Sequence, residues 1–457
     1  MKRVFIVILF LLVVIFGVIP KEVQEVAQVV QRVQEAHELQ QGMNLDQCIS
    51  YALKNNLSFA NKNIEAAINN ELHKQSKRNF LPEVYGGSSL NKRFGRSIDP
   101  TTNTYVNQDF FSMNFYLDSQ IDLFRGFTRT NSVKFQKLQL LISREDIKQK
   151  EIEIAFEVMH QYYDVLYFTN LVDIVQEQVE LTKLNVDKTK KLIELGLKAE
   201  SDLLEMKAQE ATELHNFITA KNQLELAVLS LKNLLNWSID DKLYIENELM
   251  LFTSDSLPEI KTILESAMQH MPSIQRAELD VEATKKQVDI ARGNLSPRVS
   301  IGGGVYTNYA DNPITRTIPF KDQWSQNMAQ SVFISLQVPI FNKWNGMSQV
   351  KQAEWKRTMA LNRQKEEQQN LYRLVNEDLQ QLRSLHNERE LLQAKKDALE
   401  EAYVVAEKKL EQGLISVIEF YTAKNQLAQS ETDWVRTLLQ IKIKEKTISI
   451  YLGEEMF

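Results

Sequence analysis

Residues 111–124 read FSMNFYLDSQIDLF. In an extended chain, Phe111, Met113, Phe115, Leu117, Ile121 and Leu123 fall on one side, and Ser112, Asn114, Tyr116, Asp118, Gln120 and Asp122 on the other. A period of two with one apolar and one polar face predicts a β-strand. Gln330 to Ile340 repeats the pattern, with Val332, Ile334, Leu336, Val338 and Ile340 set against Ser331, Ser335 and Gln337. Pro82 to Phe94 and Pro297 to Tyr309 are weaker versions, interrupted by Gly86-Gly87 and Gly302-Gly303-Gly304. A strand of about 13 residues is about 43 Å long and, tilted by about 40°, covers about 33 Å of height, enough for the apolar band of an outer-membrane barrel. The polar segments 95–110 and 310–328 between the paired strands are long enough to be external loops.

Outside these segments the chain is nearly free of structure breakers. Only 14 Gly and 9 Pro occur in 457 residues, roughly half the usual share. That excludes a turn-rich all-β protein, a collagen-like chain and a Pro/Gly-rich disordered one. A hydrophobic share of 43% with 25% charged residues likewise excludes general disorder. From 127 to 257 there is no Pro and the only glycine is Gly196; from 347 to 452 there is no Pro and the only glycine is Gly413. Leu, Lys, Glu, Gln and Ala dominate both stretches, so each reads as two long helices joined at one glycine cap. The arm from Gly126 to Leu195 measures about 105 Å at 1.5 Å per residue, three times a bilayer core, so it is no membrane helix. Val133, Leu140, Ile147 and Ile154 recur every seven residues, as do Leu385, Leu392, Leu399 and Ala406. Such spacing predicts coiled-coil packing of long antiparallel hairpins.

The two halves repeat each other. Asn79-Phe80-Leu81-Pro82 aligns with Asn294-Leu295-Ser296-Pro297 at an offset of 215. Leu123-Phe124-Arg125-Gly126 aligns with Ile340-Phe341-Asn342-Lys343, and Gly196 with Gly413, at an offset of 217. The offset changes only across the strand region, where loop insertions are tolerated. Each half is thus helix, strand, strand, long helix, glycine turn and return helix, a duplicated unit rather than a solenoid. Two hairpins supply four strands, and four strands leave open edges that lipid does not tolerate. If these strands span a membrane, the barrel is shared between chains.

The first residues set the compartment. Met1-Lys2-Arg3 is basic, Val4 to Ile19 is apolar apart from Gly17, and Pro20-Lys21 ends the run. This reads as a secretory signal over 1–20, with an uncleaved anchor as the competing reading. The predicted organisation continues with an N-terminal linker over 21–42, a first structural repeat over 43–236, an equatorial linker over 237–260 and a second repeat over 261–457. Cys48 is the one cysteine. It lies far beyond the apolar run and follows the bulky pair Asp46-Gln47, so it reads as a buried helix residue rather than a lipid-attachment site. The six histidines are scattered, and Gly302-Gly303-Gly304 lacks the ending of a phosphate loop. No catalytic, cofactor-binding or metal constellation is present in the sequence, and the net charge of −6 offers nothing to nucleic acid. An enzyme is not expected.

The motifs together resemble the TolC-like outer membrane efflux protein family over about residues 43–453. They are the opening helix Leu45-Asp46-Gln47-Cys48-Ile49 with Tyr51 to Asn56, the Asn-x-x-Pro stretches that lead into strands, Phe124-Arg125-Gly126, Pro339-Ile340-Phe341-Asn342 and the two glycine turns. Gly95 to Pro100 is similar to the first external loop of one branch. The resemblance implies a mainly α fold with a small β part. Long coiled-coil helices would form a periplasmic tunnel, and four strands per chain would contribute to a shared 12-stranded barrel in a homotrimer. It also implies location in the cell outer membrane and passive conduction from a periplasmic adaptor and an inner-membrane RND or ABC pump, with outer-membrane lipid as surroundings and no cofactor. It places carboxylates just after each tip glycine: Asp202 after Gly196 and Glu419 after Gly413, with Glu205 one turn beyond Asp202. These would ring a constriction that favours cations. The competing reading is that Asp202 and Glu419 cap the return helices. The chain departs from the pattern at Ile415, where a basic latch residue sometimes stands, and at Thr422, in the second acidic position. The rival from another class is a periplasmic coiled-coil adaptor or structural protein without a membrane barrel, which the alternating strands disfavour.

Overall fold

The computed structural model describes residues 42–98, 103–107, 109–246, 258–311 and 318–454. The expected signal at 1–20, nearly all of the linker at 21–42 and parts of the loops and of the equatorial linker lie outside the described residues. The first half contains helices α1 (Leu45–Asn55) and α2 (Leu57–Arg78), strand β1 (Glu83–Arg93), a small hairpin β2 (Arg96–Ile98) and β3 (Tyr105–Asn107), strand β4 (Phe110–Arg125), and helices α3 (Thr128–Glu194) and α4 (Glu200–Leu235). The second half contains α5 (Ile260–His270), α6 (Pro272–Gly293), β5 (Arg298–Asp311), a short helix α7 (Phe320–Gln326), β6 (Ala329–Gln337), α8 (Asn345–Glu411) and α9 (Val417–Leu452).

The duplication is visible in the helix lengths. α1 and α5 each have 11 residues, α2 and α6 each 22, α3 and α8 each 67, and α4 and α9 each 36. Backbone exceptions repeat as well. Gly126-Phe127 and Lys343-Trp344 form left-handed pairs at the two strand-to-helix junctions, and Asn236 and Gly453 hold the same conformation after the return helices.

Two features differ from the sequence expectation. The single opening helix of each half is two helices. Asn56 divides the first pair, its side chain accepting from the backbone of Ser58 at 2.9 Å and Phe59 at 3.2 Å. Pro272 divides the second, because it has no N–H to continue the helix of the preceding segment. The predicted strand to Ile340 also stops at Gln337, since Pro339 cannot donate to a ladder. The segments 95–110 and 310–328 hold the β2–β3 hairpin and α7.

The chain forms two compact units, each drawn from both halves: residues 1–60, 150–270 and 371–457 in one, and 61–149 with 271–370 in the other. The second unit contains one four-stranded antiparallel sheet in the order β1-β4-β5-β6. Leu117 pairs with Gly86 and Val305, and Ile301 with Ile121 and Ile334, so the apolar residues of all four strands share one face. Away from its loop end, where α7 packs on Phe115 and Tyr309, that face is bare: Val332, Ile334, Leu336, Leu117, Leu90 and Val84 are all exposed. At the base of the sheet the β4 bulge presents Asp122, which is buried. Its Oδ1 accepts from Arg298 at 2.7 Å, and Arg129 and Arg125 lie at 3.4 and 3.9 Å. Gly126 and Gly293 meet here so closely that a Cβ on either would overlap the other's backbone, which fixes glycine at both positions.

The first unit is helical. Its main core packs Cys48, Ile49 and Ala52 of α1 against Ile154, Val158, Tyr162 and Leu166 of α3 and Leu231 and Leu235 of α4. Cys48 is fully buried, as expected, and burial pushes its thiol up to about 12. Asn44 starts α1 with a reciprocal capping box to Gln47. Met43 pairs with Ile245 of the linker in a parallel bridge. The heptad residues of α3 and α8 are all buried or half-buried.

Candidate functional site: the paired helix tips

Both long hairpins of the first unit turn at glycine. After α3, Gly196 N donates to Ile193 O at 2.8 Å and Leu197 N to Leu192 O at 2.8 Å; after α8, Gly413 N donates to Leu410 O at 3.0 Å and Leu414 N to Lys409 O at 2.9 Å. Each pair of bonds is a Schellman cap, and φ values of 75° and 72° at the two glycines explain the residue type. A side chain at either position would meet open space, so conformation rather than crowding selects glycine.

The return helices begin differently. Ser416 caps α9 through a reciprocal box: its Oγ accepts from Glu419 N at 3.2 Å, and Glu419 Oε2 accepts from Ser416 N at 2.9 Å. The Ser416 hydroxyl also donates to the same carboxylate oxygen at 3.2 Å. The capping reading of Glu419 is therefore realised. Ala199 occupies the equivalent place before α4 and offers no side-chain cap. Asp202 is half-buried in that first turn, with Ser201 Oγ 3.4 Å from its Oδ1, and Glu205 is exposed one turn later.

Beneath the tips a small core joins the two hairpins: Val186 of α3, Met206 of α4, and Val417, Phe420 and Tyr421 of α9, with Leu410 and Ile415 packed alongside. Ile415 thus contributes apolar packing at this end. Thr422 donates back to Ile418 O at 2.8 Å within its own helix. The apolar cluster coexists with exposed Leu195, Leu197, Leu204, Leu414 and Ile418 around the turns.

One turn further along α9 lies a residue the motifs did not single out. Lys424 is 1% exposed. Its ammonium donates to Gln178 O at 2.9 Å and Thr182 Oγ1 at 3.0 Å, both on α3, and stands 5.3 Å from the Tyr421 ring centre. Burial pulls its pKa down to about 8, against the attraction of Glu213 and Glu177. Burial likewise pushes the Tyr421 phenol up. Glu213 is buried too and accepts from Gln209 Nε2 at 2.7 Å. The sequence carried a signal: Val417, Phe420, Tyr421 and Lys424 follow helical core spacing, so a charge stands in an apolar stripe. No group of three or more potential metal ligands occurs among the described residues.

Two long helical hairpins, duplicated and attached to a short sheet with a bare apolar face, define the class of helical outer-membrane channels. The chain belongs to the outer membrane efflux protein family, whose pattern matches residues 48–236 and 263–454. It is similar to outer membrane protein TolC of Escherichia coli strain K12, 24% identical over 293 residues, which is 62% of this chain and 59% of that protein. TolC of Salmonella enteritidis is 24% identical over 312 residues, 65% of this chain and 61% of that one. The chain thus spans about three-fifths of the length of these relatives. Among solved structures, the fold is similar to the Campylobacter jejuni CmeC outer membrane channel, with a TM-score of 0.77 at 15% identity over 90% of this chain and 86% of that one. CusC gives 0.76 at 16% identity over 90% and 92%. The protein is an outer membrane protein of the TolC-like kind.

Proposed function

We propose that this chain is the exit duct of a tripartite efflux or type I secretion system, passively conducting cargo that a pump has energised. The observation that carries the reading is the four-stranded sheet with a bare apolar face and two unpaired edges, β1 and β6. Unpaired backbone groups cost several kcal/mol each in lipid, so the edges must be met by strands of further copies. Three copies would supply 12 strands, within the known range of membrane barrels. The periplasmic adaptor and the RND or ABC pump would engage the exposed leucines of the tips. Asp202, Glu205 and Glu419 from each copy would then surround the entrance and favour cations, Glu419 keeping its capping role. The chain is not an enzyme in this reading. An adaptor without a barrel would have no use for a sheet face of this composition.

Purified protein inserted in planar bilayers should give discrete cation-preferring conductance. Asp202→Ala combined with Glu419→Gln should weaken block by multivalent cations. Recovery of the protein from the soluble periplasm without detergent would sink the duct reading, and unchanged block would sink the entrance ring alone.

A further inference from the structure

The helix α7 lies on the apolar face of the sheet at the end that bears the loops. Phe115 and Tyr309 belong to that face by register, since Phe115 pairs with Thr307, Met113 with Tyr309, and Leu117 with Val305. Phe320 of α7 sits 5.4 Å from the Tyr309 ring and 6.3 Å from Phe115, and Trp324 sits 5.0 Å from Phe115. The helix is pinned. Buried Gln323 donates to Ala310 O and Ile318 O at 2.9 Å each and accepts from Ala310 N at 2.9 Å. Thr307 Oγ1 donates to Trp324 O at 2.9 Å, and Asn327 Nδ2 to Asn308 O at 2.9 Å. The rings that hold the attachment stay partly open: Phe320 and Trp324 are exposed, as are Ile318 and Met328 on either side, interspersed with exposed Lys321, Asp322, Ser325 and Gln326.

At the opposite end of the same face, Phe124 pairs with Val299 and stacks edge-on against exposed Phe127 at 5.6 Å, and Phe341 and Trp344 are exposed after β6. From Phe115 to Phe124, β4 advances about 30 Å at about 3.3 Å per residue, or about 23 Å of height at a tilt of about 40°. That matches the apolar band of about 25 Å that aromatic belts bracket in membrane barrels. We propose that α7 is an interfacial helix outside the barrel, seating Phe320 and Trp324 in the headgroup region of the outer leaflet, so that a lipid surface is its partner. The inference rests on the barrel reading above. It gives a loop segment a fixed membrane depth, where amphipathic rings sit favourably with one side apolar and one side wet.

The test compares the native protein with Trp324→Phe, both reconstituted in phosphatidylcholine vesicles with acyl chains brominated close to the headgroup. The emission that Trp324 contributes, taken as the difference between the two, should fall at least about twofold relative to unbrominated vesicles. A nitroxide on Ser325→Cys should be more accessible to oxygen than to a water-soluble nickel complex, and this readout stands even where the tryptophan variant assembles poorly. A Trp324 contribution untouched by bromine overturns the proposal, whether water or a neighbouring copy covers the helix. Val332→Trp separates the two levels, because it lies in mid-band. Quenching of Val332→Trp by chains brominated at mid-depth, without quenching of Trp324, removes α7 from the membrane only. Failure of both removes the barrel reading as well.

Discussion

Replacing Lys424 with methionine should stabilise the protein at neutral pH. The folded lysine titrates at about 8 against an ordinary value of 10.5. The folded state therefore releases the proton first, and between those two pH values the unfolded chain binds more protons, so stability rises with pH across that window. Below pH 8 both states are charged and the folded one carries the net cost of burying the ammonium, desolvation less the attraction of Glu213 and Glu177, about 3 kcal/mol at 1.36 kcal/mol per pH unit. Methionine has similar length and no charge to bury. The substitution removes hydrogen bonds to Gln178 O and Thr182 Oγ1, but Thr182 Oγ1 itself donates to Gln178 O at 2.8 Å, so neither oxygen is orphaned. The two hydrogen bonds lost with the ammonium offset about 1–2 kcal/mol of the gain. The net expectation is about 1–2 kcal/mol in favour of Lys424→Met at pH 7. Thermal melting of the detergent-solubilised protein at pH 7 and pH 10 reads both terms. The variant should melt higher at pH 7, and its advantage should vanish or reverse by pH 10 as the wild-type lysine becomes neutral. A variant that melts lower at pH 7 by an amount that does not change with pH would refute the reasoning and make Lys424 a hydrogen-bonding residue first.

Asp122→Ala should lower the melting temperature of the assembled protein in an SDS gel-shift assay. It leaves Arg298, Arg129 and Arg125 without their shared carboxylate, at a cost of about 2–4 kcal/mol for this partly solvated cluster. An unchanged melt would show that the cluster is neutral to stability. Cys48 should resist maleimide labelling in the native protein and react promptly after unfolding, because it is fully buried and its thiol is pushed up to about 12. Prompt native labelling would contradict the packing of α1. Ser416→Ala should weaken the start of α9 by about 1 kcal/mol, seen as faster amide exchange over Val417–Phe420, whereas Ala199→Ser should slow exchange at the start of α4. Equal exchange in parent and variants would show that neither cap limits fraying.

What the sequence made legible and what it hid divide along a physical line. Strand faces, long helices and the duplication depend on local spacing and on where Gly and Pro fall, and the alternation appears in the sheet as an apolar face as far as Ile121, where the bulge after Asp122 brings Phe124 rather than Leu123 onto it. α7 depends instead on contacts from outside its own segment: Gln323 reaching Ala310 and rings from β4 and β5 meeting Phe320 and Trp324. Seven residues rarely hold a helix by propensity, so no local pattern announces it. The tip shows the same division within one site. Gly196 and Gly413 were readable because a left-handed cap demands glycine. The capping role of Glu419 was readable and is realised with the Ser416 hydroxyl three residues earlier, a role compatible with a place in an entrance ring. For Lys424 the spacing shared with Val417, Phe420 and Tyr421 marks the buried face, but its partners lie on α3, more than 240 positions away in the chain, and no local pattern names them.

The duplicated hairpins have therefore kept their geometry and diverged in their polar groups. At an offset of 217, capped Ser416 faces uncapped Ala199, buried Lys424 faces exposed Lys207, and buried Ser430 faces buried Glu213. Helix length is held because both hairpins must reach the same end; the interior charges are free to differ because each is satisfied by its neighbours in one hairpin pair. The second hairpin, with its firm cap and its lysine bonded across to α3, is the one whose start is better fixed. Local opening, if it occurs at this end, should begin at Ala199–Asp202 rather than at Ser416–Glu419, and the exchange experiment on the two helix starts decides between them.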